Sequence, residues 1–301
     1  AEAARSNSEV LRLQLAYQLR VAYWRYYQAV NTRKLLLVNQ QLLNQLVETV
    51  QTKVETNQAQ AQDLIRLTNE VAKLERELIL LRKSEGEAKA SINALLHRPA
   101  KSSLPSPRYD TKDLRVSSNA SIAQHPELKR GRKMIEAAQH QRQLAKLARR
   151  PDFNVGIQYG EVDGSGIAPS SNGRDQIAAT FGLTVPLWEG KNTAKLKAAN
   201  ASVGKYRYQL ESTRDLLDSE RTASQQDVSA QRKLIALFRD QLIPDSQSAF
   251  ELTTNSYSNG KASFNDLIDS WRLLIQQQKL QVKNKSSYGI AVARFKKSTA
   301  N

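Results

Sequence analysis

Cysteine is absent from the 301 residues, and methionine occurs once. That excludes disulfides, thiol catalysis and thiolate metal sites, and leaves the compartment open. Aromatic residues make up only 6% and hydrophobic residues 40%, so a thick globular core is hard to build. No apolar run reaches the roughly 18 residues of a membrane-spanning helix, although the short alternating strands of a β-barrel would escape that test. Proline is missing from residues 1–98, where Gly86 is the one glycine. No signal peptide is visible at Ala1, and the chain opens directly in helical sequence. The expectation is that an upstream segment has been removed.

What is present is long, polar and basic. The net charge of +16 permits nucleic acid or anionic lipid as a partner. Ser6 to Val54 reads as one helix, with Leu35, Val38, Leu42, Leu46, Val50 and Val54 at three- and four-residue spacing. A polar patch, Glu55 to Gln62, breaks that pattern. Leu64, Leu67, Val71, Leu74, Leu78 and Leu81 then form a heptad seam on a second helix that ends near Leu96 and His97. Together they predict an antiparallel coiled-coil hairpin over residues 1–98. Residues 99–125, with Pro99, Pro105 and Pro107, read as an extended linker. A basic helix occupies 126–150, opening on Pro126 and ending before Pro151.

The period then changes. Phe153, Val155, Ile157 and Tyr159 alternate with small or polar residues, as do Ile177, Ala179, Phe181, Leu183 and Val185. Two strands, 152–162 and 175–187, are expected within a β-hairpin segment 151–189. The pattern alone fits either a soluble hairpin with one buried face or strands crossing a bilayer. Residues 190–298 form a second helical hairpin, expected to be interrupted at Gly204 and Pro244. It turns at Tyr257-Ser-Asn-Gly-Lys-Ala-Ser-Phe-Asn-Asp-Leu-Ile-Asp269, where Asn259 and Gly260 both tolerate positive φ and Ser263 is a plausible cap. At an offset of 203, Asp63-Leu64-Ile65 aligns with Asp266-Leu267-Ile268. Val54 then falls on Tyr257, Asn57 on Gly260 and Ala59 on Ala262, so the two hairpins are an internal repeat.

Three motifs in this order resemble the TolC family of outer-membrane efflux ducts. They are the Tyr257–Asp269 turn, the strand-to-helix exit Val185-Pro186-Leu187-Trp188-Glu189-Gly190, and His125-Pro126-Glu127-Leu128 running on to Arg149-Arg150-Pro151-Asp152. With the repeat they cover nearly the whole chain. The resemblance implies a mainly α fold with a β-hairpin. Two long antiparallel coiled-coil hairpins would join a trimeric periplasmic α-barrel, and the strands would contribute to a trimeric transmembrane β-barrel. Residue 1 corresponds to a point just after the family's first β-hairpin, which is expected upstream.

The resemblance further implies an outer-membrane exit duct of a Gram-negative tripartite export system. Most of the chain would lie in the periplasm, extending roughly 100 Å from the membrane. The partners would be two further copies of this chain, a periplasmic adaptor, an inner-membrane pump and outer-membrane lipid. Asp266, Asp269 and Asp63 fall on the family's gate positions, where a trimer would make carboxylate rings. As residues alone, Asp63 and Asp266 are helix-start charges. The adaptor would dock at the tips, at Asn57, Gln58, Asn259, Gly260 and Lys261. Some family members carry an arginine at the position of Ala262 that latches the closed state. Ala262 cannot do this.

No cofactor, metal site or nucleic-acid partner is expected. His97, His125 and His140 are scattered, and the basic helix lacks interleaved aromatics, so a solvated face is the simpler reading. Gly164 and Gly166 suit a flexible hairpin loop rather than a phosphate loop. Tyr23, Trp24, Tyr26 and Tyr27 are expected to pack between helices. No catalytic constellation is present. The alternative from another class is a periplasmic coiled-coil adaptor or structural interaction protein without a membrane barrel.

Overall fold

The computed structural model describes residues 2–111, 114–117, 121–161, 174–187 and 189–300. Helix α1 spans Glu2–Glu55, α2 Ala61–Leu95 and α3 Pro126–Leu147. Strands β1 (Asp152–Gly160) and β2 (Gln176–Thr184) follow, then α4 (Glu189–Leu237), α5 (Ile243–Ser258) and α6 (Phe264–Thr299). The chain divides into two compact units, Ala1–Ser6 with Glu127–Thr213, and Asn7–Pro126 with Arg214–Asn301.

In the first unit β1 and β2 pair antiparallel in a register running from Asp152↔Thr184 to Gly160↔Gln176. The pleat sends Phe153, Val155, Ile157 and Tyr159 to one face, opposite Leu183, Phe181, Ala179 and Ile177. The other face carries Asn154, Gly156, Gln158, Ala178, Thr180 and Gly182. The apolar face is bare: Ile157 is 81% exposed and Val155 77%. The strands are slightly shorter than the alternation suggests, because Glu161 and Val185 to Leu187 lie outside the ladder.

The second unit packs the two helical hairpins together. Leu36, Leu43 and Val50 of α1 meet Leu67, Leu74 and Leu78 of α2 and Leu267, Trp271, Leu274 and Ile275 of α6 in one core cluster. A second cluster holds Trp24, Tyr27, Tyr288 and Val292, and a third holds Tyr26 with Ala88 and Ile92. At Gly289 any Cβ would overlap the Trp24 indole, so a side-chain-free residue lets α6 close on α1 there. The Ser286 hydroxyl donates to the Trp24 carbonyl at 2.7 Å across the same contact.

The linker after α2 is extended but not free. Fully buried Asn93 donates to the carbonyls of Ala100 and Ser102 at 3.0 and 2.9 Å. Leu114 is buried against Trp24 and Tyr288. The expected interruption at Gly204 does not occur: α4 runs straight through it. One glycine costs a helix about 1 kcal/mol relative to alanine, too little to break 49 residues held by neighbouring turns. At Pro244 the helix does change character. A π-helical turn, Phe238–Leu242, separates α4 from α5 just ahead of it. Proline removes one donor and crowds the preceding turn, and a wider turn relieves both.

Candidate gate and hairpin tips

The two helical turns share one backbone design. In the first, Asn57 sits at φ 57°, its N–H donates to Val54 O at 3.1 Å, and Gln58 N–H reaches Lys53 O at 2.7 Å. In the second, Gly260 sits at φ 71°, its N–H donates to Tyr257 O at 3.1 Å, and Lys261 N–H reaches Ser256 O at 2.8 Å. Every partner is displaced by the same 203 positions. These are helix ends closed by a left-handed residue, which glycine adopts without strain and asparagine at modest cost. Asn259, with φ −90°, is not in the left-handed region, so Gly260 alone makes that reversal.

The helix starts differ. Ser263 and Asp266 form a capping box: Asp266 N–H donates to Ser263 Oγ, and Ser263 N–H donates to Asp266 Oδ2 at 3.0 Å. The Ser263 hydroxyl also donates to Asp266 Oδ2 at 2.7 Å. These donors hold the Asp266 carboxyl below its ordinary value, the serine side chain first and its backbone second. The corresponding Gln60 makes no side-chain cap. Asp63 lies in the first turn of α2, where its charge favours the helix dipole.

Across the tips, Lys53 of α1 closes the end of α5. Its ammonium donates to the carbonyls of Tyr257 and Ser258 at 2.9 and 3.1 Å and lies 4.6 Å from the centroid of the Tyr257 ring. The Tyr257 hydroxyl is buried and has no hydrogen-bond partner among the described residues. Burial raises its pKa, and the charge of Asp63 adds to the rise.

Deeper along the helices lies a clamp that the sequence reading missed. Glu70 of α2 is only 7% exposed and accepts from Arg272 of α6 at 2.7 Å and from Lys73 at 2.6 Å. Arg272 also donates to Asp269 at 3.0 Å. Beside it Arg66 donates to Asn265 at 3.0 Å. Burial alone would raise the Glu70 carboxyl. The hydrogen bonds and charges of Arg272 and Lys73 together outweigh it and hold the pKa below the ordinary value. These side chains line a polar cleft of about 270 Å³ between α2 and α6. A signal was available, because Glu70 lies three residues after Leu67 and four before Leu74, an acid on an apolar stripe. Of the three aspartates expected at the gate, Asp269 joins this clamp, Asp266 serves a cap, and Asp63 stands beside Tyr257.

Of the exit motif, Val185, Pro186 and Leu187 continue from β2 in irregular backbone, and Gly190 lies in the first turn of α4. Trp188 lies outside the described residues, as do Gly164 and Gly166. Among the described residues no group of His, Asp or Glu could hold a metal ion. No helix among them is long and apolar enough to cross a membrane.

The outer membrane efflux protein family model matches residues 118–301. The pyoverdine export outer membrane protein OpmQ of Pseudomonas putida is 26% identical over 284 residues, covering 90% of this chain and 55% of that protein. The chain thus spans about half the length of this curated relative. Among solved structures, the outer membrane protein VceC of Vibrio cholerae superposes with a TM-score of 0.88 at 19% identity, over 99% of this chain and 72% of that one. The open state of the Neisseria gonorrhoeae outer membrane channel MtrE gives 0.84 at 15% identity, over 99% and 68%.

Proposed function

Because this chain belongs to the outer membrane efflux protein family, a family of channels rather than enzymes, we propose that it is one protomer of a passive exit duct. The observation that carries this reading is the strand pair. Its apolar face is exposed along its whole length, and each strand has one edge that no described strand pairs. A bilayer satisfies the first feature. Inside lipid the second requires further strands, because an unpaired peptide group there costs several kcal/mol. The partner protomers of a trimer, together with the family's other β-hairpin, supply them and close a barrel.

The helical hairpins continue the duct in the periplasm, and their tips dock an adaptor through Asn57, Gln58, Asn259, Gly260 and Lys261. An inner-membrane pump provides the energy. The relative's name points to a small secreted solute as cargo. Asp266, Asp269 and Asp63 recur three times around the axis and form carboxylate rings that admit cations and resist anions. The Glu70–Arg272 clamp takes the place of the latch that Ala262 lacks.

The test is planar-bilayer recording of the intact protein and of D266N/D269N, in which asparagine keeps the size and one acceptor oxygen but removes the charge. The double variant is expected to lose cation preference or to conduct more. Unchanged selectivity and conductance would return both aspartates to helix-end roles. A protein that purifies as a monomer and never conducts would overturn the duct itself.

A further inference from the structure

The end of α3 and the start of α4 carry charge of one sign. Residues 137–151 contain Arg142, Lys146, Arg149 and Arg150 and no acid. Residues 190–210 contain Lys191, Lys195, Lys197, Lys205 and Arg207, again with no acid. The Asn192 side chain donates to the Ala148 carbonyl at 3.1 Å and ties the two helix ends together. Lys146, Arg149, Arg150, Lys191, Lys195 and Lys197 are all exposed. The nearest acids in sequence are Asp152 and Glu189.

This basic ground adjoins the strand pair at one end only. Arg150 precedes β1 by two residues, and α4 begins five residues after β2, at the end where Asp152 pairs with Thr184. Exposed apolar side chains are interleaved with it: Leu144 is 65% exposed, Leu147 48% and Leu187 79%. They lead onto Phe153, the first residue of the bare apolar face. A surface meant only for water has no use for leucines between its lysines. From Arg142 to Arg150 and from Lys191 to Lys197 the side chains between the cations include no aromatic, whereas a nucleic-acid surface would stack bases on aromatics there.

We propose that this collar binds the headgroups of anionic phospholipids in the leaflet nearer the helices. The cations meet the phosphodiester, and Leu144, Leu147 and Leu187 reach among the first acyl carbons. The inference rests on the duct reading, because the strand pair must stand in a bilayer for the collar to lie at its interface. Each cation near an anionic surface raises affinity about fivefold at low salt, an attraction that fades beyond the Debye length. Basic side chains from both helix ends therefore give a strong preference for phosphatidylglycerol over phosphatidylethanolamine.

The test uses the intact protein in nanodiscs of phosphatidylethanolamine with a minor fraction of phosphatidylglycerol. Retained lipids are counted by mass spectrometry after mild delipidation, and conductance is recorded from the same preparation. The wild type is expected to enrich phosphatidylglycerol. K146Q, R149Q, R150Q, K191Q, K195Q and K197Q, added in turn, each lower the enrichment by about fivefold until none remains. The charge-keeping K146R/K191R retains it, as does the control K129Q, near the opposite end of α3. Enrichment that survives the sextuple variant, or that K129Q abolishes equally, overturns the proposal. So does lipid released by inorganic phosphate alone, which would mark a phosphate site without acyl contacts. A protein that conducts but shows no lipid preference refutes the collar and leaves the duct standing. One that conducts in no lipid refutes the duct.

Discussion

Replacing Arg272 by alanine removes the one cation that joins α6 to the buried carboxylate of α2. Breaking a fully buried ion pair costs about 3–5 kcal/mol, and losing a surface pair about 0–1 kcal/mol. Here the Glu70 side chain is 9% exposed, Arg272 50% and Lys73 59%. Lys73, 2.6 Å from Glu70 on the same helix, is untouched by the substitution and is expected to keep part of the compensation. The expected loss is therefore intermediate, about 2 kcal/mol, or roughly 3 °C in melting temperature for a chain of this length. E70Q keeps the shape and one acceptor, so it costs less, about 1 kcal/mol. Because the residues touch, the double variant is less destabilised than the sum, with a coupling of about 1 kcal/mol.

The pH dependence has a fixed sign. The folded pKa of Glu70 lies below its ordinary value, so the clamp stabilises fully above about pH 4.3 and fades as pH falls through the lower folded value. Thermal melts of the detergent-solubilised protein across pH should show wild type and R272A converging in acid. In bilayers R272A should open more readily. A melting temperature equal to wild type at neutral pH, with zero coupling to E70Q, would refute the clamp.

Other expectations follow from the packing. G289A forces a methyl into the Trp24 indole and should cost about 1–3 kcal/mol, read as a lower melting temperature. An unchanged melt would mean that α1 and α6 do not approach so closely. S263A removes the cap of α6 and should cost about 1 kcal/mol, seen as faster hydrogen exchange at residues 264–267 and not at 61–64. The Asp266 half of that cap is present above the ordinary aspartate pKa and disappears as pH falls through its lower folded value. Exchange in wild type and D266N should therefore converge in acid.

Local repetition made much of this molecule legible in sequence. The period-two runs became β1 and β2, and the 203-residue offset anticipated even the hydrogen bonds of the two turns, because each depends on residues within one helical end. What stayed hidden depends on distant partners. Asp-Leu-Ile occurs in both repeats, yet Ile65 is 62% exposed and Ile268 only 4%. The tripeptide cannot say which neighbours its helix will have. Glu70 looked like one more charge until Arg272, 202 positions away, closed on it. Nothing near Gly289 in sequence announces the Trp24 indole against it, and Leu114, in the expected linker, is buried in the same cluster as that indole.

The π-helical turn sets the rotational phase of everything beyond it. Up to that point the inward positions of the helix step by fours and threes: 224, 228, 231, 235 and 238. They resume at 246, 250, 253 and 257, and the span from 238 to 246 holds eight residues where the rhythm allows seven. The wide turn at Phe238–Leu242 absorbs this skip residue. A regular α-helix through the same sequence would rotate α5 by about 100° and carry Phe250 and Tyr257 off the core. The aim of the second tip is thus set some twenty residues upstream of Gly260. Deleting a single residue within 238–242 would restore the seven-residue rhythm and let an unbroken α-helix reach the tip with the same face inward, whereas adding one would turn the tip aside.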